Sequence, residues 1–182
     1  MKISTILDKV DEHQLFVPAF QREYVWKRDD VKQLIDSLIK EYPTGTMLTW
    51  ETASPPELKG PHKYDSKQGA VRLLLDGQQR VTSLYMLIRG ELPPYYTAKE
   101  IEVDTRGLYV NLETLELSYY VKARMASNPL WQDITGVFSR KVRARDVVRD
   151  LEDKGEPVDR DRQDRLDDNT RAIENVLDRE FP

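Results

Sequence analysis

The stretch VRLLLDGQQRVTSLYMLIRG, residues 71–90, decides the fold of this chain. It opens with a short apolar run, Val71–Leu75, which is typical of a buried strand when turn residues bound it. Asp76-Gly77 ends that run, and the apolar residues after it recur at helical spacing up to Gly90. The sequence therefore predicts a strand, a tight turn and a helix in direct succession.

A helix that begins directly after this turn offers a place for an anion. The first N–H groups of a helix have no partner within it, and together with the helix dipole they favour phosphate. Gly77 lets the backbone approach a ligand closely. Gln78 and Gln79 add amide donors, and Arg80 adds a planar guanidinium that fits phosphate oxygens. These four residues are the predicted phosphate-binding positions of the turn.

Two neighbours extend the predicted site. Thr82 is a candidate hydroxyl donor to phosphate, and Asp76 is a candidate ligand of a Mg²⁺ ion that bridges phosphates. Asp76 and Arg80 are the predicted catalytic residues. The alternative interpretation, a structural turn whose Arg80 pairs with an acid, stays open from local chemistry alone. The chain carries neither a P-loop pattern nor the glycine pattern of a Rossmann turn, so a nucleotide here would use neither.

The segment AFQREYVW, residues 19–26, carries a second group of candidates. Gln21 and Arg22 repeat the glutamine-arginine pair of the turn, so they too are predicted to bind phosphate. Tyr24 and Trp26 are candidates for stacking on a base or for contacting DNA. The alternative is that these aromatic rings pack the segment against the core.

Outside these two segments, apolar spacing predicts further elements. They are an extended segment at 15–17, a helix over 31–42 that Asp29 or Asp30 caps, a strand at 46–50, a loop over 51–69, a hairpin of strands 108–112 and 115–121, and a helix over 130–138.

Composition and charge narrow the class of function. Of the 182 residues, 39% are hydrophobic and 33% are charged, and the formal net charge is −4. A negative net charge argues against a protein that coats DNA, since nonspecific affinity for DNA comes from neutralising its phosphates. It does not argue against a protein that reads DNA through a local basic patch.

Cysteine, histidine and hydropathy exclude further classes. The absence of cysteine excludes disulfides and cysteine-based zinc sites. The two histidines, His13 and His62, lack partners at metal-ligand spacing, and we assign them no role. No apolar run approaches the ~20 residues that span a bilayer. The sequence therefore predicts a cytoplasmic protein without membrane contact.

The residues after 140 differ from the rest because they are mostly charged and carry sparse apolar positions. We expect one or two exposed helices there that need a partner surface. The predicted division is a domain over 1–140 and a charged helical extension over 141–182. The extension is expected to lead to a further domain or to take part in a homodimer interface.

Two of the quoted segments resemble the signatures of one family. Residues 17–26, VPAFQREYVW, and residues 75–84, LDGQQRVTSL, look like the paired motifs of the GmrSD N-terminal domain of modification-dependent restriction endonucleases. The resemblance covers about residues 1–140. It implies a ParB/sulfiredoxin-like α/β (α+β) core with a short mixed sheet and a helical C-terminal appendage. Sulfiredoxin chemistry needs a cysteine, so that branch is excluded.

The resemblance also implies an activity and partners. It implies that Asp76–Arg80 and Gln21-Arg22 bind and hydrolyse a nucleoside triphosphate (GTP, CTP or ATP) together with Mg²⁺. The implied partners are modified phage DNA and an HNH-type nuclease domain or subunit. The sequence shows no HNH-like cluster, so nuclease activity is not expected from these residues. Two alternatives remain, a module that reads modified DNA without nucleotide chemistry and a protein-interaction domain.

Overall fold

The structure is a computed structural model that describes residues 1–61 and 63–181. Its α-helices are α1 (Ile3–Asp11), α2 (Arg28–Ile39), α3 (Gln78–Arg89), α4 (Lys122–Met125), α5 (Ile134–Phe138), α6 (Ala144–Asp153) and α7 (Arg160–Glu174). Its β-strands are β1 (Leu15–Phe16), β2 (Leu48–Thr52), β3 (Val71–Asp76), β4 (Leu108–Asn111), β5 (Leu117–Tyr119) and β6 (Trp131–Asp133). Short 3-10 helices cover Ser66–Gln68 and Asn175–Asp178. This mixture of helices and strands confirms the predicted α/β class.

β1, β3 and β2 form a mixed sheet in that order, so β3 is its central strand. β1 runs parallel to β3, with Leu15 opposite Arg72, and β2 runs antiparallel to it, with Trp50 opposite Leu73. The predicted short mixed sheet is confirmed. β2 continues to Thr52, so the predicted loop is wrong in its first two residues.

The predicted strand, turn and helix are confirmed as β3, Gly77 and α3. Leu74 packs into the main hydrophobic cluster, and Leu73 packs into a smaller cluster on the other face of the sheet. Gly77 and Gly90 flank α3 with φ angles of 92° and 75°, which glycine adopts without strain. Because α3 is buried along most of its length, its start is held firmly at the end of β3.

β5, β4 and β6 form a second, antiparallel sheet, and its β4–β5 pair confirms the predicted hairpin. The predicted helix over 130–138 is wrong in its first half, because β6 occupies that stretch and pairs with β4. Asp133 then caps α5 by accepting a hydrogen bond of 2.8 Å from the Thr135 N–H. The helix therefore begins at Ile134.

α1 is absent from the sequence-based predictions, although four apolar residues between Ile3 and Val10 form its buried face at helical spacing. α2 confirms the helix predicted over 31–42, although it runs from Arg28 to Ile39. Its N-cap residue is Lys27 and not an aspartate, but Asp30 in the first turn accepts a hydrogen bond of 2.8 Å from the Lys27 N–H and so helps to cap the helix.

α6 and α7 pack on the main hydrophobic cluster of the chain. Leu151, Leu166 and Ile173 are fully buried in that cluster. The helices expected after residue 140 therefore find a partner surface in the core of this same chain. The division at residue 140 and the homodimer stay predictions. No helix within 1–61 or 63–181 is long and apolar enough to cross a membrane.

The first and last described segments run side by side. The Ile3 N–H donates to the Arg179 carbonyl at 2.8 Å, and the Phe181 N–H donates to the Met1 carbonyl at 3.0 Å. Arg179 also forms an ion pair with Glu41, just after α2. The segment 179–181 is therefore fixed beside the loop that joins α2 to β2.

Candidate functional site

A pocket of about 220 Å³ lies where β3 ends and α3 begins. It is lined by Gln21, Arg22, Trp26, Asp76, Gly77, Gln78, Gln79 and Arg80. The structure thus brings the two predicted segments together although they are distant in the sequence. Two of the predicted site residues, Tyr24 and Thr82, do not line the pocket.

The start of α3 supplies backbone donors to this pocket. Gly77 is the N-cap residue and brings no side chain to cap the helix. The first hydrogen bond of the helix joins the Val81 N–H to the Gly77 carbonyl at 3.0 Å. The N–H groups of Gln78, Gln79 and Arg80 have no acceptor among the described residues. Three uncapped N–H groups in a pocket wall form a site suited to an anion.

Two glutamines of the motifs fasten residues 19–26, which we call the arm, to the end of β3 and the start of α3. The Gln79 amide donates to the Glu23 carbonyl at 2.9 Å and accepts from the Val25 N–H at 2.9 Å. The Gln21 amide donates to the Leu75 carbonyl at 2.8 Å. Gln79 thus uses both ends of its amide within the chain, and its role here is to close the arm over the pocket.

Arg22 is an exposed cation of the pocket, and its side chain makes no hydrogen bond or ion pair with any residue in the described ranges. Its backbone is nevertheless fixed, because its carbonyl accepts from Lys59 Nζ at 3.3 Å and from the Tyr96 hydroxyl at 3.5 Å. Lys59 also pairs with Glu23 at 2.7 Å. A guanidinium without a partner on a fixed backbone is well placed to bind an anion.

Arg80 is engaged with the loop before β2. Its Nη1 donates to the Thr44 carbonyl, and its Nη2 donates to the Thr46 carbonyl at 2.6 Å. Asp76 is more distant, with Oδ2 3.5 Å from Nη2. The closest hydrogen bonds of Arg80 thus go to neutral carbonyls, and its longer ion pair with the exposed Asp76 offsets part of its charge. Both interpretations of Arg80, structural and phosphate-directed, are compatible with this geometry.

Gln78 carries an unpartnered polar atom into the pocket wall. Its side chain is 4% exposed, and its Nε2 donates to the Tyr96 hydroxyl at 2.5 Å. Its Oε1 is buried and has no hydrogen-bond partner among the described residues. An unpaired buried polar atom costs about 1–3 kcal/mol. The Oε1 atom is therefore the end of this amide that the fold leaves without a partner.

Asp76 is the carboxylate of the pocket, and its side chain is 68% exposed. Within 1–61 and 63–181 there is no group of three or more His, Asp or Glu side chains that could hold a metal ion. A Mg²⁺ ion at Asp76 would therefore need phosphate oxygens and water as its other ligands, which is how Mg²⁺ commonly binds with nucleotides.

The remaining candidates divide between core and pocket. Tyr24 is buried, and its hydroxyl hydrogen-bonds Ser83 at 2.8 Å and Thr105 at 3.2 Å. Thr82 is also buried and hydrogen-bonds the Tyr95 hydroxyl at 3.1 Å. Both residues therefore serve packing in this conformation. Trp26, in contrast, is half-buried and lines the pocket.

Two features of the site are absent from the predictions. The loop residues Thr44–Thr46 hold Arg80, and Gly45 within it has a φ of 85°. Lys59, whose side chain is 7% exposed, and Tyr96 both hydrogen-bond the Arg22 carbonyl and so hold the arm in place. Burial, followed by the nearby Glu23 carboxylate, raises the pKa of the Tyr96 hydroxyl. The sequence signal was the isolated Gly45, whereas nothing local marks Lys59 or Tyr96. His62 lies outside the described residues.

Comparison with known proteins bears on the same two motifs. The family model described as GmrSD restriction endonuclease, N-terminal domain, matches residues 3–180. Over 92 residues the chain is 35% identical to an uncharacterized protein of Methanocaldococcus jannaschii. That alignment covers 46% of this chain and 16% of the relative, so the chain spans a small part of the relative's length. The family match includes both pocket motifs and extends through α6 and α7.

Proposed function

Because this chain belongs to the family of GmrSD restriction endonuclease N-terminal domains, we propose that it binds a nucleoside triphosphate and regulates a nuclease that restricts modified DNA. The observation that carries the proposal is the closure of the arm over the uncapped start of α3. As a result, Arg22 and the first residues of α3 line one pocket. The nuclease partner in this proposal is an HNH-type domain or subunit, and its target is modified phage DNA.

In this proposal the pocket holds the phosphates through charge and backbone donors. The N–H groups of residues 78–80 contact phosphate oxygens, and Arg22 adds a bidentate guanidinium contact. The charge of Arg80 supports the same anion while its hydrogen bonds keep the loop at 44–46 in place. The unpaired end of the Gln78 amide gains a partner when a ligand or its bound water enters.

Hydrolysis is the second part of the proposal. Water attacks the terminal phosphorus, the bond to the bridging oxygen breaks, and a proton of the water is released to the solvent. The products are a nucleoside diphosphate and inorganic phosphate. Arg22, Arg80 and the helix N–H groups stabilise the charge that develops on the phosphate oxygens. Asp76 is the residue that would hold Mg²⁺, and this ion would neutralise further phosphate charge.

DNA reading without nucleotide chemistry is the second candidate function. It is favoured by the exposed side chains of the arm, since Phe20 and Val25 are exposed in the same short segment as the unpaired Arg22. A cation between apolar side chains is a combination that nucleic-acid-binding surfaces use. Steep salt dependence of DNA binding, with no nucleotide binding, would support this candidate over the first.

The test is calorimetric titration of the chain with GTP, CTP, ATP and UTP in the presence of Mg²⁺. We expect saturable binding that Arg22→Ala weakens about tenfold or more, since hydrogen bonds to charged groups contribute about 1.5–3 kcal/mol. The matched control is Arg160→Ala, which removes an arginine whose side chain is 93% exposed on α7. Absence of binding by all four nucleotides would reject nucleotide binding and leave DNA reading as the better proposal.

A further inference from the structure

A second pocket adjoins the first and shares two of its walls. It has a volume of about 390 Å³ and is lined by Trp26, Asp30, Gln33, Leu34, Ser37, Pro43, Thr44 and Arg80. Trp26 and Arg80 belong to both pockets. A ligand whose anionic part lies at the start of α3 is therefore bound directly beside the second pocket.

One side of this second pocket is a stripe of α2. Asp30, Gln33 and Ser37 are spaced three and four residues apart, so they lie on one face of the helix beside Leu34. The Gln33 and Ser37 side chains make no hydrogen bond to any described residue, and Asp30 uses only Oδ2, toward the Lys27 N–H. The stripe thus offers a carboxylate oxygen, an amide and a hydroxyl beside the apolar surface of Trp26.

We propose that this second pocket takes the nucleobase and that Asp30 selects guanine. This inference rests on the proposed function, because it assigns the base of the same nucleoside triphosphate. A flat aromatic base suits a pocket with a tryptophan and a proline in its walls. The polar stripe of α2 would then contact the edge of the base.

The choice of guanine follows from the hydrogen-bonding groups of the stripe. A carboxylate is an acceptor alone, and guanine is the nucleobase that presents a ring N–H and an amino group side by side as two donors. In adenine and cytosine the ring nitrogen beside the amino group is itself an acceptor, which repels a carboxylate. In uracil the ring N–H lies between two carbonyl oxygens. The Gln33 amide can in addition donate to the guanine carbonyl oxygen.

The test compares GTP, ATP, CTP, UTP and inorganic triphosphate by titration against the wild-type chain and Asp30→Asn. We expect GTP to bind at least about fivefold more tightly than the other nucleotides, as one good base contact provides. Asp30→Asn, which keeps an oxygen to cap α2, should remove this preference while inorganic triphosphate binds as before. Asp29→Asn is the matched control, since it loses the same charge one residue earlier without lining the pocket.

The outcomes separate this inference from the proposed function. If inorganic triphosphate binds and the four nucleotides bind equally, the base pocket is wrong and the phosphate site stands. If Asp30→Asn keeps the GTP preference, Asp30 is not the selecting residue. If neither triphosphate nor any nucleotide binds to a folded chain, the proposed function fails and the base pocket fails with it.

Discussion

The Cζ atom of Arg80 lies 5.7 Å from the centre of the Phe181 ring. The same guanidinium donates to the carbonyl oxygens of Thr44 and Thr46. Arg80 therefore joins the turn after β3, the loop before β2 and the segment 179–181. Arg22, which lines the same pocket, has no such attachments. The two arginines of the repeated pair should therefore respond differently to substitution.

Arg80→Ala should lower the free energy of unfolding by about 1.5–3 kcal/mol, because it removes charge-assisted hydrogen bonds to two backbone carbonyls. Arg22→Ala should change it by less than about 0.5 kcal/mol, as expected for an exposed side chain without partners. Urea unfolding of both variants measures the difference. Equal losses would mean that the hydrogen bonds of Arg80 contribute little, and the structural interpretation of Arg80 would have to be abandoned.

Gly45→Ala should disturb both stability and nucleotide binding. Gly45 has a φ of 85°, and a Cβ atom there would collide with Nη1 of Arg80, which backbone carbonyls hold in place. Gly107→Ala is the control, since its φ is 73° but no atom lies within 4 Å of the added Cβ. The free energy of unfolding of the control should fall by about 1–2 kcal/mol, because of backbone strain alone. Gly45→Ala should lose more free energy of unfolding than the control and should also weaken nucleotide binding. If the two variants behave alike, Arg80 is not held in place as the structure indicates.

The core of the fold was predictable because its signals are local. The strand from Val71, the break at Gly77 and the helix that follows lie within one stretch, and each has its own residue pattern. β6 was not predictable in this way, because the apolar spacing of 130–138 also fits a helix. Its identity depends on pairing with β4, in which Trp131 lies opposite Asn111. The apolar spacing of a short segment does not reveal which distant strand it pairs with.

The two segments that line the pocket were predictable from the sequence, but the burial of Tyr24 and Thr82 and the roles of the other residues were not. Both motifs line one pocket, yet the sequence alone could not show that the Gln79 amide hydrogen-bonds the backbone of Glu23 and Val25. A glutamine that binds a ligand and one that clamps a backbone look the same in sequence. The difference lies in which backbone groups face the side chain after folding, and those groups are set by the path of the arm.

Stability at alkaline pH should depend on buried tyrosines. Burial raises the pKa of Tyr24, Tyr95 and Tyr96 above the ordinary value for tyrosine. The folded chain therefore holds these protons more tightly than the unfolded chain does. The resulting stabilisation is fully present below the unfolded pKa of about 10 and is lost as the pH rises through the folded pKa.

Urea unfolding at a series of pH values above neutrality, with tyrosinate absorbance followed in parallel, measures this loss. Tyr95→Phe removes one of these hydroxyls. The slope of the free energy of unfolding against pH should then correspond to about one proton fewer released on unfolding. The prediction fails if tyrosinate forms completely while the far-ultraviolet circular dichroism stays native, because the hydroxyls would then titrate without opposing burial.

Gln78 and Gln79 provide a matched pair for the last prediction, since they are adjacent, alike in chemistry and both lie in the pocket wall. Gln79→Met leaves the Val25 N–H and the Glu23 carbonyl without their partners, so it should lower the free energy of unfolding by about 1–3 kcal/mol.

Gln78→Met removes one hydrogen bond, to Tyr96, together with a buried oxygen that has no partner among the described residues. The two effects oppose each other, so the free energy of unfolding should change by less than about 1 kcal/mol. Nucleotide binding should nevertheless weaken by about tenfold, because an amide end that the fold leaves unpaired is available to the ligand. Urea unfolding and calorimetric titration of the two variants measure both quantities. If Gln78→Met destabilises the chain as much as Gln79→Met and keeps full affinity, Gln78 serves the fold, and the unpaired oxygen says nothing about a ligand.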